Sequence, residues 1–322
     1  MRIEELKGSL SENLFPIYLV EGEDAYFREL AIKTLQNKFL SNPDLNLNTF
    51  EGSEVKADPS AIIEALLQYP FMSEKRVIIV REYLPSATDL KNKQLAEYLQ
   101  NPVDTSVLII VNVGKSEVLK KQKNVCVVDC GKSTLELLIR YIQGTLKRNN
   151  LIINAKTAQI LCEYCQMDMT RISGDVQKLS AYCHGLMEVT QEDIEQMVTK
   201  DTDFQIFEMT ENVAQKRYDK AYEILNDMLS KSSDYQKLFV SLYYHFRKLF
   251  NYTISSGSPA IIAKQYGVHE YGVKKAIEQG KRFGLKKLKQ ILDMFEGYDR
   301  DFKSGKISAQ SVLTLCVGKI ME

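Results

Sequence analysis

Pro16-Ile-Tyr-Leu-Val-Glu-Gly-Glu-Asp-Ala-Tyr-Phe-Arg-Glu29 joins two patterns at Gly22. Before the glycine stands a short apolar run, 16–20. After it Phe27, Leu30, Ala31, Leu35 and Phe39 recur at helical spacing. A buried strand that turns at a glycine into a helix is the first step of an α/β domain. The pattern repeats downstream. A weak strand at 48–50 precedes a helix at 59–68 carrying Ile62, Ile63, Leu66 and Leu67. A buried-type strand at 76–80 precedes a helix at 91–100, and strands at 106–113 and 124–128 follow. Continuous Val/Ile runs separated by helices predict an open, parallel sheet covered on both faces.

From Lys132 the strand patterns stop. Leu135, Leu138, Ile139, Ile142 and Leu146 form an apolar helical stripe, and helices are expected at 154–165, 169–184 and 190–198, the last opened by a box-like Thr190/Asp193 pair. Longer helices are expected at 204–215, 218–229, 235–255, 260–266, 271–282, 285–298 and 309–320. The expected organisation is an α/β domain (1–133), a small helical lid domain (134–203) and an all-α C-terminal domain (204–322).

Composition narrows the function classes. The chain has 322 residues, 42 Lys+Arg against 42 Asp+Glu, and 44% apolar residues. This excludes a mainly disordered chain and one that is basic throughout. The opening MRIEELKGSL lacks the apolar core of a secretory signal, and no apolar run nears bilayer length, so a soluble, cytoplasmic protein with no membrane partner is expected. Cys162-Glu-Tyr-Cys165 has metal-ligand spacing without a second pair. Spacing of i, i+3 beside Ala158 and Leu161 reads as helix core, and no metal or other cofactor is expected. No G-x-S-x-G nucleophile motif occurs.

A phosphate-binding loop has two candidate positions. Gly131-Lys132-Ser133 follows a strand and precedes a helix, but Cys126 stands where the loop needs its first glycine. In the first strand-to-helix turn Gly22 is present, yet Phe27, Arg28 and Glu29 occupy the places of Gly, Lys and Ser/Thr. Glu23 and Asp24 add negative charge where phosphate would approach, and Arg81 stands where a magnesium-binding Asp is expected. The turn is therefore expected to be a degenerate nucleotide loop that binds no ATP. An active P-loop ATPase using Gly131-Lys132-Ser133 is the alternative.

Several segments together resemble the delta subunit of the bacterial DNA polymerase III clamp loader. They are Tyr18-Leu-Val-Glu-Gly-Glu-Asp-Ala-Tyr26, Tyr69-Pro-Phe-Met-Ser-Glu-Lys-Arg-Val-Ile-Ile-Val80, Asp168-Met-Thr-Arg-Ile-Ser-Gly-Asp-Val-Gln-Lys-Leu179, Tyr244-His-Phe-Arg-Lys-Leu249, Val273-Lys-Lys-Ala-Ile-Glu-Gln-Gly-Lys-Arg-Phe283 and Tyr298-Asp-Arg-Asp-Phe-Lys-Ser-Gly305. The resemblance implies an AAA+-like module followed by a helical collar domain. It also implies a noncatalytic subunit of the DNA polymerase III holoenzyme that binds and opens the sliding clamp (beta subunit) for loading on primed DNA. The collar would join the gamma/tau and delta prime subunits, and ATP hydrolysis would belong to partner subunits.

The same resemblance assigns clamp contact to Leu67, Tyr69, Pro70, Phe71 and Met72, with the family's aliphatic–aromatic pair appearing as Pro70-Phe71. Pro70 ends the helix 59–68 and biases Tyr69 to an extended conformation, so Phe71 and Met72 project from a turn; the competing expectation folds Phe71 into the core. Between Ile261 and Gln290 lie eight basic and two acidic residues. Lys274, Lys281 and Arg282 read either as a solvated helix face or as phosphate contacts. The stretch 261–275, with Gly267 at its centre, also superficially resembles a helix-turn-helix, which leaves a DNA-binding regulator as a further alternative. Tyr243-Tyr-His-Phe-Arg-Lys-Leu-Phe250 has the spacing of helix packing.

Overall fold

The structure, a computed structural model, describes residues 1–41, 43–86, 91–232 and 234–321. Two compact units result, Met1–Thr134 and Leu135–Glu322.

The first unit runs α1 (Ile3–Glu12), β1 (Ile17–Glu21), α2 (Ala25–Phe39), α3 (Pro43–Asn46), β2 (Leu47–Glu51), α4 (Gly52–Ala57), α5 (Pro59–Leu67), β3 (Arg76–Arg81), α6 (Lys93–Gln100), β4 (Ser106–Asn112) and β5 (Val125–Asp129). The strands form one sheet in the order β2-β3-β4-β1-β5, and every neighbouring pair is parallel. All residues of β1 and β4 are buried, as their unbroken apolar runs require of central strands. β2 has no fully buried residue and forms an edge. Ile17, Leu19, Ile78, Val80, Leu108 and Ile110 share one core with Ile62 and Leu66 of α5 and Leu95 and Leu99 of α6. Each fully buried side chain of this kind stabilises the fold by about 1.5–3 kcal/mol.

Three helices depart from the sequence reading, α1, α3 and α4, and α3 has only four residues. In α1, Ile3, Leu6 and Leu10 are buried at helical spacing, and the preceding backbone bridges to the edge strand β5 through Asp129 N–H to the Met1 carbonyl at 2.9 Å. α4, only six residues long, is too short to display a period.

The second unit is helical: α7 (Leu135–Arg148), α8 (Ala155–Tyr164), α9 (Met169–Tyr182), α10 (Gln191–Met197), α11 (Thr202–Ala214), α12 (Tyr218–Lys231), α13 (Tyr235–Ile254), α14 (Pro259–Tyr266), α15 (Glu270–Phe283), α16 (Leu285–Lys303) and α17 (Ala309–Met321). The Thr190/Asp193 pair is a full capping box: Asp193 Oδ2 accepts from Thr190 N–H at 2.8 Å, and Thr190 Oγ1 from Asp193 N–H at 3.2 Å. Helices α11 to α17 contribute to one apolar core, with Phe246 and Phe295 near its centre. Polar contacts join the earlier helices to this core within the unit. The Tyr271 hydroxyl of α15 donates to Glu163 of α8 and accepts from Gln159 Nε2 at 2.9 Å. Arg171 pairs with Asp201, and Lys200 pairs with Glu208 at 2.8 Å while lying over the Tyr164 ring.

Cys162 and Cys165 are fully buried, on α8 and at its C-terminal cap. Burial pushes the Cys162 thiol up to about 12 and raises that of Cys165 further. Among the described residues no three His, Cys, Asp or Glu side chains are grouped to hold a metal ion, and no helix is long and apolar enough to cross a membrane.

Candidate functional site

The first strand-to-helix turn is committed to internal bonds. Gly22 adopts φ +142°, a conformation in which a β-carbon would lie 2.2 Å from the Cys130 carbonyl carbon. Its N–H donates to the Asn112 carbonyl at 3.1 Å, and Asp24 N–H donates to the Cys130 carbonyl at 3.0 Å. The Asp24 carboxylate caps α2 by accepting from Phe27 N–H at 3.2 Å. Arg28, at the place of the phosphate-binding lysine, donates to the Gly22 carbonyl, and Phe27 is buried in the core. The other loop position is also occupied, because Lys132 Nζ pairs with Glu23 at 3.2 Å.

The position at the end of β3 carries an ion pair. Arg81, at the end of β3, forms a two-pronged bond with Glu29 on α2, at 2.6 and 3.2 Å. Its guanidinium holds the Glu29 carboxyl below the usual carboxylate range. Here a cation and a carboxylate neutralise each other where a nucleotide site needs a magnesium-binding carboxylate and a hydroxyl. The side chains are one-third to one-half exposed, so the pair adds little to stability.

A different kind of site lies beyond α5. Helical phase buries Leu66 completely and turns Leu67 outward. In the following turn Tyr69 is 83% exposed, Phe71 57% and Met72 83%, while Pro70 is half-buried. Phe71 therefore does not fold into the core. The turn is held from below by Asn46, fully buried at the end of α3. Asn46 Nδ2 donates to the Phe71 carbonyl at 2.9 Å, and its Oδ1 accepts from Phe71 N–H at 2.7 Å. Arg76 Nη2 donates to Asn48 Oδ1 at 2.8 Å and its Nη1 approaches the Tyr69 carbonyl at 3.5 Å. Met72 has φ +50°, a left-handed conformation rare outside glycine. Asn46 is not legible from the sequence because no local spacing signals a contact across 25 positions. The result is an exposed apolar tip on a pinned backbone, a surface suited to inserting into an apolar pocket of a partner.

The basic stretch is partly neutralised. Lys274 pairs with Glu270 at 2.9 Å, Arg282 pairs with Glu211, and Lys275 lies 3.7 Å from Glu163. Lys281 is exposed and has no ion-pair partner among the described residues. Helices α14 and α15 do flank a left-handed Gly267, with Val268 N–H bonded to the Ala263 carbonyl at 3.0 Å. Base reading, however, uses the first turn of the second helix, and there Tyr271 is engaged by Glu163 and Gln159. Tyr243 and Phe246 of the aromatic stretch pack against Phe295.

Comparison with known proteins agrees with this arrangement. The family described as "DNA polymerase III, delta subunit" matches residues 18–131, and "DNA polymerase III delta subunit, C-terminal domain" matches residues 203–320. The DNA polymerase III subunit delta of Bacillus subtilis (strain 168) is 22% identical over 95% of this chain and 93% of its own length. The solved DNA clamp loader delta protein of Bacillus subtilis superposes with a TM-score of 0.80 at 20% identity, covering 99% of each chain. That likeness gives the fold: α/β plus all-α, an AAA+-like module of parallel α/β domain and small helical domain, followed by a helical C-terminal domain. The two family descriptions together span most of the chain, and it belongs to the DNA polymerase III delta subunit family, the clamp-loader deltas.

Proposed function

We propose that this chain binds the ring-shaped sliding clamp through Leu67, Tyr69, Pro70, Phe71 and Met72 and opens one clamp interface, so that the ring is loaded on primed DNA. The observation that carries the reading is the exposed apolar tip on a pinned turn. Ring opening follows from differential affinity: a tip that binds the open or distorted interface more tightly than the closed one shifts the ring's population toward the open form. The internal bonds of the Gly22 turn and the Arg81–Glu29 pair support a noncatalytic role, with ATP hydrolysis left to partner subunits. Residues 204–322 act as the collar that meets those partners, 134–203 as the lid and 1–133 as the clamp-contacting domain, in a cytoplasmic assembly. Lys281, with Lys274 and Arg282 after release from their ion pairs, is the DNA-facing group of the third region.

Binding of this chain to surface-captured clamp, wild type against Phe71→Ala, with and without ATP, tests the reading. Phe71 exposes 57% of its surface. With about 200 Å² for an aromatic residue, some 110 Å² is available to a pocket, about 2–3 kcal/mol or about 30- to 150-fold in Kd. ATP-independent binding weakened by that amount is expected. No wild-type binding would overturn the clamp reading, and binding unchanged in the variant would move the contact off the tip.

A further inference from the structure

An apolar turn on a protein surface has two easy alternatives to projecting, collapse onto the body or fluctuation among many conformers. In this tip both are opposed by one side chain. Asn46 has no exposed surface, and both ends of its amide are turned to Phe71. The two-bond exchange imitates one rung of a hydrogen-bonded strand pair. It fixes the Phe71 backbone and leaves the residue 57% exposed. Immediately beyond, Met72 is held at φ +50°. Non-glycine residues stay there only where their surroundings over-determine the backbone. Arg76 supports the other side of the turn, reaching the Tyr69 carbonyl while bonded to Asn48. The tip is therefore pinned before any partner is present.

We infer that Asn46 is a positioning residue that sets the Phe71 tip in its partner-binding conformation in the free protein. The inference rests on the clamp reading above. Its consequence is kinetic. When only a fraction of molecules holds the competent conformation, apparent affinity falls by that fraction, and the loss appears in association. A pocket-filling residue such as Phe71 acts instead on dissociation.

The test is association and dissociation of the full chain on surface-captured clamp, for wild type, Asn46→Ala, Phe71→Ala and the double variant, with thermal unfolding as a check of the fold. Asn46→Ala is expected to associate about tenfold more slowly, with dissociation changed less than twofold. Its effect should disappear in the Phe71→Ala background, whereas general loosening of the fold would add to Phe71→Ala in full. Asn46→Asp supplies a second arm should the alanine variant fail to fold. An ionised carboxylate accepts from Phe71 N–H but has no proton for the Phe71 carbonyl; a protonated carboxyl restores both bonds. The binding deficit of Asn46→Asp relative to wild type at the same pH should therefore shrink from pH 7.5 to pH 5. Unchanged association in Asn46→Ala, full additivity, or a pH-independent Asn46→Asp deficit would overturn the inference while clamp binding stands. Absence of wild-type binding would overturn the clamp reading and the inference with it.

Discussion

Replacing Gly22 by alanine separates a structural turn from a phosphate loop. At φ +142° an added β-carbon lies 2.2 Å from the Cys130 carbonyl carbon, 2.3 Å from its oxygen and 2.4 Å from the Gly131 nitrogen. All three are backbone atoms, so no side chain can swing away. The conformation alone costs an alanine about 1–3 kcal/mol. Relief requires β1 and the 129–131 strand end to separate, which threatens the Cys130 N–H bond to the Glu21 carbonyl at 2.7 Å and the Asp24 N–H bond to the Cys130 carbonyl at 3.0 Å. At about 1 kcal/mol each, these bring the total to about 3–5 kcal/mol, or about 10–20 °C off the unfolding transition of the first unit, Met1–Thr134. Thermal unfolding of the full chain by circular dichroism reads the shift, and calorimetric titration with ATP is its companion. A Tm within 3 °C of wild type would refute the steric account. Nucleotide binding by wild type that is lost in a thermally unaltered Gly22→Ala would restore the phosphate-loop reading.

Three further outcomes are expected. Lys132→Ala should leave the chain without measurable nucleotide affinity, like wild type, and change Tm little, because the Lys132–Glu23 pair is substantially exposed; calorimetric ATP binding lost in the variant would instead support an active P-loop. Burial pushes the Cys130, Cys162 and Cys316 thiols up to about 12, against about 9 unfolded. Stability from keeping them neutral is complete below pH 9 and is lost as pH rises toward 12, by about 1.4 kcal/mol per pH unit per thiol; native thiols alkylated at pH 8 as fast as urea-unfolded ones would contradict this. Only part of His245 reaches the surface, but its ring packs against Phe207 and Phe246 and its Nε2 meets Thr210 Oγ1 at 2.9 Å and Gln279 Oε1 at 3.0 Å, so desolvation pushes it down to about 3. A depressed pKa contributes stability above the unfolded value near 6.5 that is lost as pH falls toward 3. The urea midpoint of wild type should therefore decline faster with acid than that of His245→Gln, and parallel declines would overturn the assignment.

The parallel α/β domain was legible because its signals are local. β1, β3 and β4 each contain an unbroken apolar run, Ile17–Val20, Val77–Val80 and Val107–Val111, and such a run is stable only when both faces are covered. Helix bounds were legible to within a few residues wherever a stripe and a cap coincide, as at Thr190 and Asp193. That Phe27, Arg28 and Glu29 differ from the Gly, Lys and Ser/Thr of a phosphate loop is a property of the residues alone, whereas the partners of Arg28 and Glu29 are set by the fold. α1 is hard to read for another reason: its stripe is only Ile3, Leu6 and Leu10 in ten residues, and part of its support is the tertiary bridge to β5. α4 is simply too short to carry a period.

Tertiary structure alone decided what the polar residues do. Sequence places Lys132 near a turn and Glu23 in another, but only folding β5 beside β1 brings them to 3.2 Å. Lys274 and Arg282 have the spacing of a phosphate-contacting face, yet Arg282 finds Glu211 on a distant helix. The tip shows the division most clearly. Its apolar content and Pro70 are properties of the six consecutive residues 67–72, whereas its backbone is bonded to Asn46, which comes within reach because α3 and the turn lead into the paired strands β2 and β3. Periodicity records which residues must leave water, a requirement each segment meets for itself. Hydrogen bonds and ion pairs need particular atoms within about 3 Å, and only the folded chain sets those distances.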